Sequence, residues 1–261
     1  MKKFYSFFAS ILILVGLLAA CGNEENDPQV KEPIELTISA AASLQDALEE
    51  LKTTYEKEHD TIKILYNFGG SGALQQQILQ GAPADLFFSA AEDKFDALVE
   101  KEMIDPNQGV DLLANELVLI VPKKNDKQIQ SFEDLKQAGK IALGTPETVP
   151  AGQYGVETLK NMQLWESLES KVVYTKDVRQ VLTYSETENV DAGIVYKTDA
   201  LVSDKVEVVA TADDQTHTPI IYPVGVIKNS KHVQKAEDFY HFLQSDEAMK
   251  VFKKYGFKGV Q

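Results

Sequence analysis

Four helix beginnings, each placed directly after a run of strand-forming residues, are the positions at which this sequence could do chemistry. A helix beginning offers unpaired backbone N–H groups and the positive end of a helix dipole, which together attract an anion. Alanine and glycine at these places would let a ligand approach the main chain, and Ser43 and Ser71 would add hydroxyl donors. The pattern predicts an oxyanion site built from neutral donors. The four junctions are AAASLQD (40–46), GGSGAL (69–74), VPAG (149–152) and DVRQ (177–180).

Each junction on its own is also typical of a plain helix cap or turn. Ser43 stands at capping-box spacing from Asp46, and Asp177 stands in the same relation to Gln180. Pro150 falls in a first helical turn, where proline is favoured. The four junctions together favour an anion site, but these residues alone do not name the ligand.

The elements that would position these junctions alternate along the chain from Ile34. Nine β-rich runs are separated by amphipathic segments, such as the helical face formed by Leu44, Leu48 and Leu51. This alternation predicts an α/β fold with two mostly parallel sheets flanked by helices, and ligands at the carboxyl ends of the strands. The predicted strands are 34–40, 61–68, 84–90, 116–122, 140–144, 171–174, 191–196, 206–210 and 219–227.

Two lobes fit nine strands better than one. A polar break follows Val121, and Tyr222-Pro223 marks a place where the chain could return. We predict that the first lobe comprises residues 34–116 and 226–261 and that the second comprises residues 117–225. The hinges between them are expected near residues 113–118 and 221–226.

The charge balance narrows the classes of partner. The chain of 261 residues carries 40 acidic and 26 basic side chains, a formal net charge of −14. An acidic chain without a basic stripe argues against nucleic acid as a partner. One cysteine excludes an internal disulfide, and no histidine pairs with another histidine, a cysteine or a glutamate at metal-ligand spacing, so we expect no bound metal cation and no cofactor.

The N-terminus is predicted to be a targeting segment and not part of the fold. Residues 1–20 read as a signal peptide, because two lysines precede an apolar run that ends in small residues. A membrane span is the less favoured alternative, since about 17 residues is the lower edge of spanning length. The stretch LAAC (18–21) resembles a bacterial lipobox, which implies that Cys21 is lipidated. Residues 21–33 would then form a lipid-anchored tether on the outer face of the cell membrane.

Several longer strings resemble the bacterial periplasmic molybdate-binding protein family, the solute-binding components of molybdate ABC transporters. The resemblance runs in order from about Ile34 to the C-terminus, and its most specific strings are APADLFFSA (82–90) and VPAGQYG (149–155). Shorter matching strings are AAASLQDAL (40–48), DVRQVL (177–182), AGIVYKTDA (192–200), YPVGV (222–226) and FKKYGF (252–257).

The resemblance implies a type II, two-lobed periplasmic-binding-protein fold with the ligand clamped in the cleft between the lobes. It implies ligand contacts from Ser43 and Ser71 in the first lobe and from Ala151, Val178 and Tyr196 in the second. The serines would donate through hydroxyl and backbone groups, Ala151 and Val178 through backbone N–H groups, and Tyr196 through its phenol. Where the family has a serine-rich stretch, this chain has GGSG at 69–72, which keeps one serine and loses neighbouring hydroxyls.

A site made only of donors suits a fully deprotonated tetrahedral dianion. The resemblance therefore implies that a monomeric protein binds molybdate, and also tungstate, and delivers it to a membrane ABC permease. Phosphate near neutral pH carries a proton that wants an acceptor, so it should be disfavoured. The first alternative is the same fold with a site for another tetrahedral oxyanion, such as sulfate. For molybdate to be preferred, the size of the cavity would have to exclude sulfate.

A serine hydrolase centred on Ser71 is the second alternative. The run GGSGA (69–73) is one residue short of the G-x-S-x-G nucleophile elbow, because Ala73 stands where the second glycine belongs. The four histidines lie in polar or charged surroundings and are expected at the surface. We therefore expect a binding protein and not an enzyme.

Arg179 is the single arginine of the chain and follows the predicted Val178 contact. A direct cation in the site would erode selectivity among anions. We expect Arg179 to pair with a nearby carboxylate, such as Asp177 or Asp191, and not to bind the ligand.

Overall fold

The structure is a computed structural model that describes residues 33–124 and 126–260. The predicted signal peptide, Cys21 and residues 21–32 of the predicted tether lie outside these residues. The segment Pro33–Gln261 forms one compact unit. Among the helices of the described residues, none is long and apolar enough to cross a membrane.

Strands and helices alternate along the described part of the chain, as predicted. The strands are β1 (Ile34–Ala41), β2 (Ile62–Gly69), β3 (Leu86–Phe88), β4 (Ile104–Ala114), β5 (Leu117–Pro122), β6 (Ile141–Gly144), β7 (Val172–Thr175), β8 (Ala192–Tyr196), β9 (Val206–Thr211), β10 (Ile221–Ile227) and β11 (Lys258–Gly259). The α-helices are α1 (Gln45–Glu58), α2 (Ser71–Leu79), α3 (Glu92–Glu100), α4 (Pro150–Asn161), α5 (Trp165–Leu168), α6 (Val178–Glu186), α7 (Lys197–Leu201), α8 (Val233–Leu243) and α9 (Asp246–Lys254).

The strands form two sheets. The first has six strands in the order β11-β4-β10-β3-β1-β2, and the second has five in the order β7-β6-β8-β5-β9. Parallel pairing joins β1 to β2 and β3, and joins β6 to β7 and β8. The remaining pairs, which involve β4, β5, β9, β10 and β11, are antiparallel. The prediction of two sheets flanked by helices is confirmed, but the prediction of mostly parallel sheets is wrong. Each sheet is mixed because β5 and β10 run against the neighbours that they join.

All nine predicted strands are present, and two further strands escaped prediction. Strand β4 contains Pro106 and Gly109, which are typical of turns and not of strands. Its pairing with β10 shifts register between Gly225 and Ile227, so the extra residues around Pro106 bulge out of the ladder. Strand β11 has only two residues, too few for a periodic pattern.

The chain passes between the sheets twice, after β4 and after β9. The two crossings lie side by side, because Asn115 N–H donates to Ile220 O at 3.2 Å and Ala212 N–H donates to Leu117 O at 2.9 Å. The predicted second lobe ended at residue 225, whereas all of β10 pairs in the first sheet. The return crossing therefore spans 212–220, a few residues earlier than predicted. Hinge motion itself stays a prediction.

The predicted apolar helix face packs inward. Leu44, Leu48 and Leu51 are fully buried, and Tyr55 on the same face lies against Phe239 with ring centroids 4.8 Å apart. This face packs α1 against the first sheet and α8, which fixes the position of the segment between β1 and α1.

Candidate functional site

The five predicted site residues meet at one small cavity. Ser43, Ser71, Ala151, Val178 and Tyr196 all line it, and none of them is more than 3% exposed. The space open to the centre of a water molecule is about 10 Å³. Organic ligands and cofactors need far larger pockets, so a cavity of this size suits a small inorganic ion.

Strand register explains why residues so distant in sequence meet. In the first sheet Ala41 pairs with Gly69, so parallel strands β1 and β2 end at the same edge, beside Ser43 and Ser71. In the second sheet Gly144 pairs with Thr175 in parallel strands β6 and β7, which places the starts of α4 and α6 together. Strand β8 runs parallel to β6 and ends at Tyr196.

Three of the five residues present backbone N–H groups at a helix start. Ser71 is the first residue of α2, Ala151 the second of α4 and Val178 the first of α6. The first N–H groups of an α-helix have no partner within the helix and carry the positive end of its dipole. These groups are suited to an anion in the cavity.

The predicted helix caps are confirmed in part. Asp177 caps α6, because its Oδ1 accepts from Gln180 N–H at 2.8 Å, and Pro150 is the first residue of α4. The predicted cap at Ser43 is wrong, since this residue lies inside a short 3₁₀ helix, Ala42–Leu44, and makes no cap hydrogen bond. Its hydroxyl therefore remains available to the cavity.

The side-chain oxygens of the two serines are held by protein groups. Ser71 Oγ accepts from Ala90 N–H at 2.9 Å, which leaves its own proton to donate elsewhere. Ser43 Oγ lies 2.9 Å from the Tyr222 hydroxyl. The cavity thus receives two buried hydroxyl groups of fixed position.

Tyr196 supplies a third hydroxyl, and this one has no partner. Its Oη is fully buried and makes no hydrogen bond to any described residue. Burial raises the pKa of Tyr196 well above its usual value, and the neighbouring Tyr222 adds to the effect, so the phenol stays protonated. Its retained proton is therefore available to an acceptor in the cavity.

The sequence matches the bacterial extracellular solute-binding protein family over residues 36–258. The chain belongs to this family. Two sheets flanked by helices, with a cavity at the carboxyl ends of their strands, form its periplasmic-binding-protein fold. The family consists of solute-binding proteins and not of enzymes.

Three relatives show how far the similarity extends. "Putative ABC transporter substrate-binding lipoprotein YvgL" of Bacillus subtilis is 56% identical, covering 98% of this chain and 99% of the relative. "Molybdate-binding protein ModA" of Escherichia coli is 38% identical, covering 85% and 88% of the two chains. The solved "substrate binding domain of putative molybdenum ABC transporter" from Clostridium difficile is 43% identical with a TM-score of 0.66, covering 87% of this chain and all of that one. This protein is therefore an ABC transporter solute-binding protein of the ModA type.

Arg179 of this solute-binding protein pairs with two carboxylates. Its Nη2 lies 2.6 Å from Asp46 Oδ2, and its Nε lies 2.7 Å from Asp199 Oδ1. The expected pairing with a carboxylate is confirmed, but the suggested partners are wrong. Asp177 caps α6, and Asp191 accepts from the N–H groups of Gly139 and Lys140.

These ion pairs cancel the positive charge beside the cavity. Burial would lower the pKa of Arg179, but Asp199 and Asp46 raise it above its usual value, so the guanidinium stays charged. Burial raises the pKa of Asp199 to about 6, against the opposing effect of Arg179. Asp46 lies on α1 and Asp199 on α7, so Arg179 also ties the two sides of the cavity together.

Glycines at the second junction allow two backbone segments to touch. A Cβ on Gly70 would lie 2.5 Å from Thr148 O, and one on Gly72 would lie 2.8 Å from Thr148 Cα. The Gly72 N–H donates to Thr148 O at 3.0 Å, which joins the start of α2 to the loop before α4. These glycines therefore make room for protein backbone from the opposite side of the cavity.

The histidines do not surround Ser71. Among residues 33–124 and 126–260, no histidine is hydrogen-bonded to Ser71, whose Oγ accepts from Ala90 N–H. His217 is 9% exposed, so the expectation of four surface histidines is wrong for this one, which packs beside Tyr154. The described part of the chain also holds no cluster of three histidine, cysteine or acidic residues that could bind a metal ion.

Two buried polar residues near the cavity were not predicted from the sequence. Tyr222 contacts Ser43 from β10, and Asn115 contacts Tyr222 from the first crossing. No local pattern marks either residue, because each meets its partner across more than 100 positions of the chain. The string YPVGV contained Tyr222 but indicated only the family.

Proposed function

We propose that this protein binds molybdate, and also tungstate, outside the membrane and delivers it to a membrane ABC permease. The observation that carries the proposal is the buried, unpartnered Tyr196 hydroxyl in a cavity shared with Ser43, Ser71, Ala151 and Val178. The same five residues are the ligand contacts that the resemblance to molybdate-binding proteins implies. The relative named for molybdate binding adds support, since it is 38% identical along most of both chains.

The chemistry of the five residues favours a fully deprotonated dianion. Their hydroxyl and backbone N–H groups can donate, and the nearby guanidinium of Arg179 is already neutralised by two carboxylates. Neutral dipoles select among anions through hydrogen bonds and not through a countercharge. They favour an anion whose oxygens can all accept hydrogen bonds. Molybdate and tungstate meet that requirement.

The remaining parts of the proposal concern the setting. Cys21 would carry a lipid anchor, residues 21–33 would form the tether, and the folded unit would work as a monomer at the outer face of the cell membrane. The anion is cargo, so no cofactor and no metal cation take part, and Ser71 binds the cargo and does not act as a nucleophile. The relative whose name includes the word lipoprotein is 56% identical over nearly the whole chain.

A thermal-shift panel tests the ligand. The purified protein is heated with molybdate, tungstate, sulfate or phosphate at matched concentrations. A ligand at 100 times its Kd should add about 2.7 kcal/mol to the free energy of unfolding. We expect large shifts with molybdate and tungstate and little with the other two anions. No shift with molybdate, or a larger one with sulfate, would overturn the proposal.

The double variant Ser43→Ala, Ser71→Ala places the site. It should weaken molybdate binding while the protein still folds, because both substitutions shorten small side chains at a cavity wall. Retained affinity would mean that the anion binds elsewhere. Esterase activity that disappears in Ser71→Ala would support the hydrolase instead.

A further inference from the structure

One ion pair beside the cavity joins helices that pack on different sheets. Helix α1 packs against β2 in the first lobe, which holds the first sheet, and α6 packs against β8 in the second lobe. Asp46 lies on α1 and Arg179 on α6, and Asp46 Oδ2 is 2.6 Å from Arg179 Nη2. The same nitrogen donates to Ser43 O at 3.4 Å, so the guanidinium contacts the first lobe at two points.

The two carboxylates that contact Arg179 have different surroundings. Asp199 is fully buried on α7, in the same lobe as Arg179, and also accepts from the Tyr196 N–H at 3.3 Å. The Asp46 side chain is 40% exposed, although the oxygen that faces Arg179 is buried. A fully buried carboxylate without its partner is costly, whereas a half-exposed one can be hydrated. Separation of the two lobes would therefore break the bond to Asp46 and keep the bond to Asp199.

We propose that Asp46 and Arg179 form a closure latch, an ion pair that is made when the lobes close over the anion and broken when they open to release it. The inference rests on the proposed function and adds what sets the residence time of the anion. Neither residue is among the described residues that line the cavity, so the latch acts on the closed arrangement and not on the anion itself. Because Arg179 keeps Asp199 as its partner, the latch opens without leaving a buried cation unpaired.

The sign of the effect separates the latch from simple electrostatics. Asp46 stands three residues after Ser43, so its negative charge lies near the anion and repels it. If charge alone mattered, removal of Asp46 would tighten anion binding. Removal of the latch should weaken binding, because the closed arrangement loses a charge-assisted hydrogen bond.

Glu50→Ala is a matched control for Asp46→Ala on the same helix. Glu50 Oε2 pairs with Lys254 Nζ at 2.6 Å, and the Glu50 side chain is 34% exposed, close to the 40% of Asp46. Both substitutions remove one negative charge and one ion pair from α1. Lys254 lies on α9, which packs against α1, so the control pair stays within the first lobe.

Release of radiolabelled molybdate into an excess of unlabelled molybdate gives koff, and calorimetric titration gives Kd. In Asp46→Ala we expect koff to rise about 5- to 30-fold, which corresponds to the loss of a partly buried charge-assisted hydrogen bond. The on-rate, obtained as koff divided by Kd, should stay within about twofold of wild type, because the pair forms after the anion has entered and salt screens a single charge. Without molybdate the Tm of Asp46→Ala should stay within about 2 °C of wild type, because the open arrangement lacks the pair.

Glu50→Ala should give the reverse result. Its koff should match that of wild type, and its Tm without molybdate should be lower, because its bonds to Lys254 and Tyr255 do not depend on closure. An unchanged koff or a lower Kd in Asp46→Ala would overturn the latch. A Tm without molybdate that falls by more than about 4 °C in Asp46→Ala would also overturn it, since the pair would then stabilise the fold before any anion binds. If wild type binds sulfate and not molybdate, the proposed function fails, and the same rates measured with radiolabelled sulfate test the latch.

Discussion

Replacing Tyr196 by phenylalanine tests the most specific feature of the cavity. The Tyr196 hydroxyl is buried and has no hydrogen-bond partner in the described part of the chain, so the substitution removes a donor without breaking a protein hydrogen bond. A hydrogen bond to a charged group contributes about 1.5–3 kcal/mol. The Kd for molybdate should therefore rise roughly 10- to 150-fold in Tyr196→Phe.

Thermal unfolding with and without molybdate measures both effects in one assay. At a molybdate concentration of 100 times the wild-type Kd, the free energy of unfolding of wild type should rise by about 2.7 kcal/mol. A variant with a Kd raised about 30-fold should gain only about 0.9 kcal/mol under the same conditions. Without molybdate the free energy of unfolding of Tyr196→Phe should not fall below that of wild type.

Tyr66→Phe gives the opposite result and serves as the control. Its hydroxyl donates to Leu48 O at 2.9 Å, so the substitution should cost about 1 kcal/mol, or about 2–4 °C in Tm, without molybdate. Its molybdate gain should match that of wild type. A Kd within twofold of wild type in Tyr196→Phe would refute the assignment of this hydroxyl to the anion.

Three further predictions address packing, pH and salt. Gly72→Ala should lower the free energy of unfolding by about 1–3 kcal/mol and weaken molybdate binding, because the new methyl group would lie 2.8 Å from Thr148 Cα. Urea denaturation measures the loss of stability, and unchanged stability would contradict the close approach. Burial raises the pKa of Asp199 to about 6, above its unfolded value near 4, so the folded protein retains a proton that the unfolded chain loses as the pH rises from 4 to 6. The free energy of unfolding of wild type should therefore fall by at most about 3 kcal/mol relative to that of Asp199→Asn over that range. Urea titrations at pH 4, 5 and 6 measure the difference between the two proteins, and a constant difference would refute the prediction. Since the chain has a net charge of −14, stopped-flow association of molybdate should become faster as salt is added, and an on-rate that falls with salt would contradict the repulsion.

Local chemistry made much of the site predictable. Small residues and proline at helix starts restrict where a helix can begin, and the cap at Asp177 and the proline in the first turn of α4 occur as expected. The alternation of apolar and polar residues located nine strands for the same reason, since periodicity depends only on near neighbours. Strand β4 was missed because its Pro106 and Gly109 are tolerated only through a bulge against β10.

Long-range pairing was beyond prediction from sequence. Arg179 has carboxylates two residues before it and twelve after it, yet it pairs with Asp46 and Asp199 on two different helices. The same holds for Tyr222 and Asn115, whose hydrogen bonds exist only because the two crossings lie side by side. Neither residue has a neighbour in sequence that would indicate its role.

The sequence by itself determined that helix starts follow strand ends at four places and that hydroxyl and N–H donors are concentrated there, because capping and periodicity are local properties of the chain. Only the tertiary structure decided that these donors face one cavity, that Arg179 is neutralised beside it, and that the Ser43 hydroxyl contacts Tyr222. Those features depend on strand register and on the order of strands in each sheet, which bring Ser43 and Tyr222 within 2.9 Å although they stand 179 positions apart.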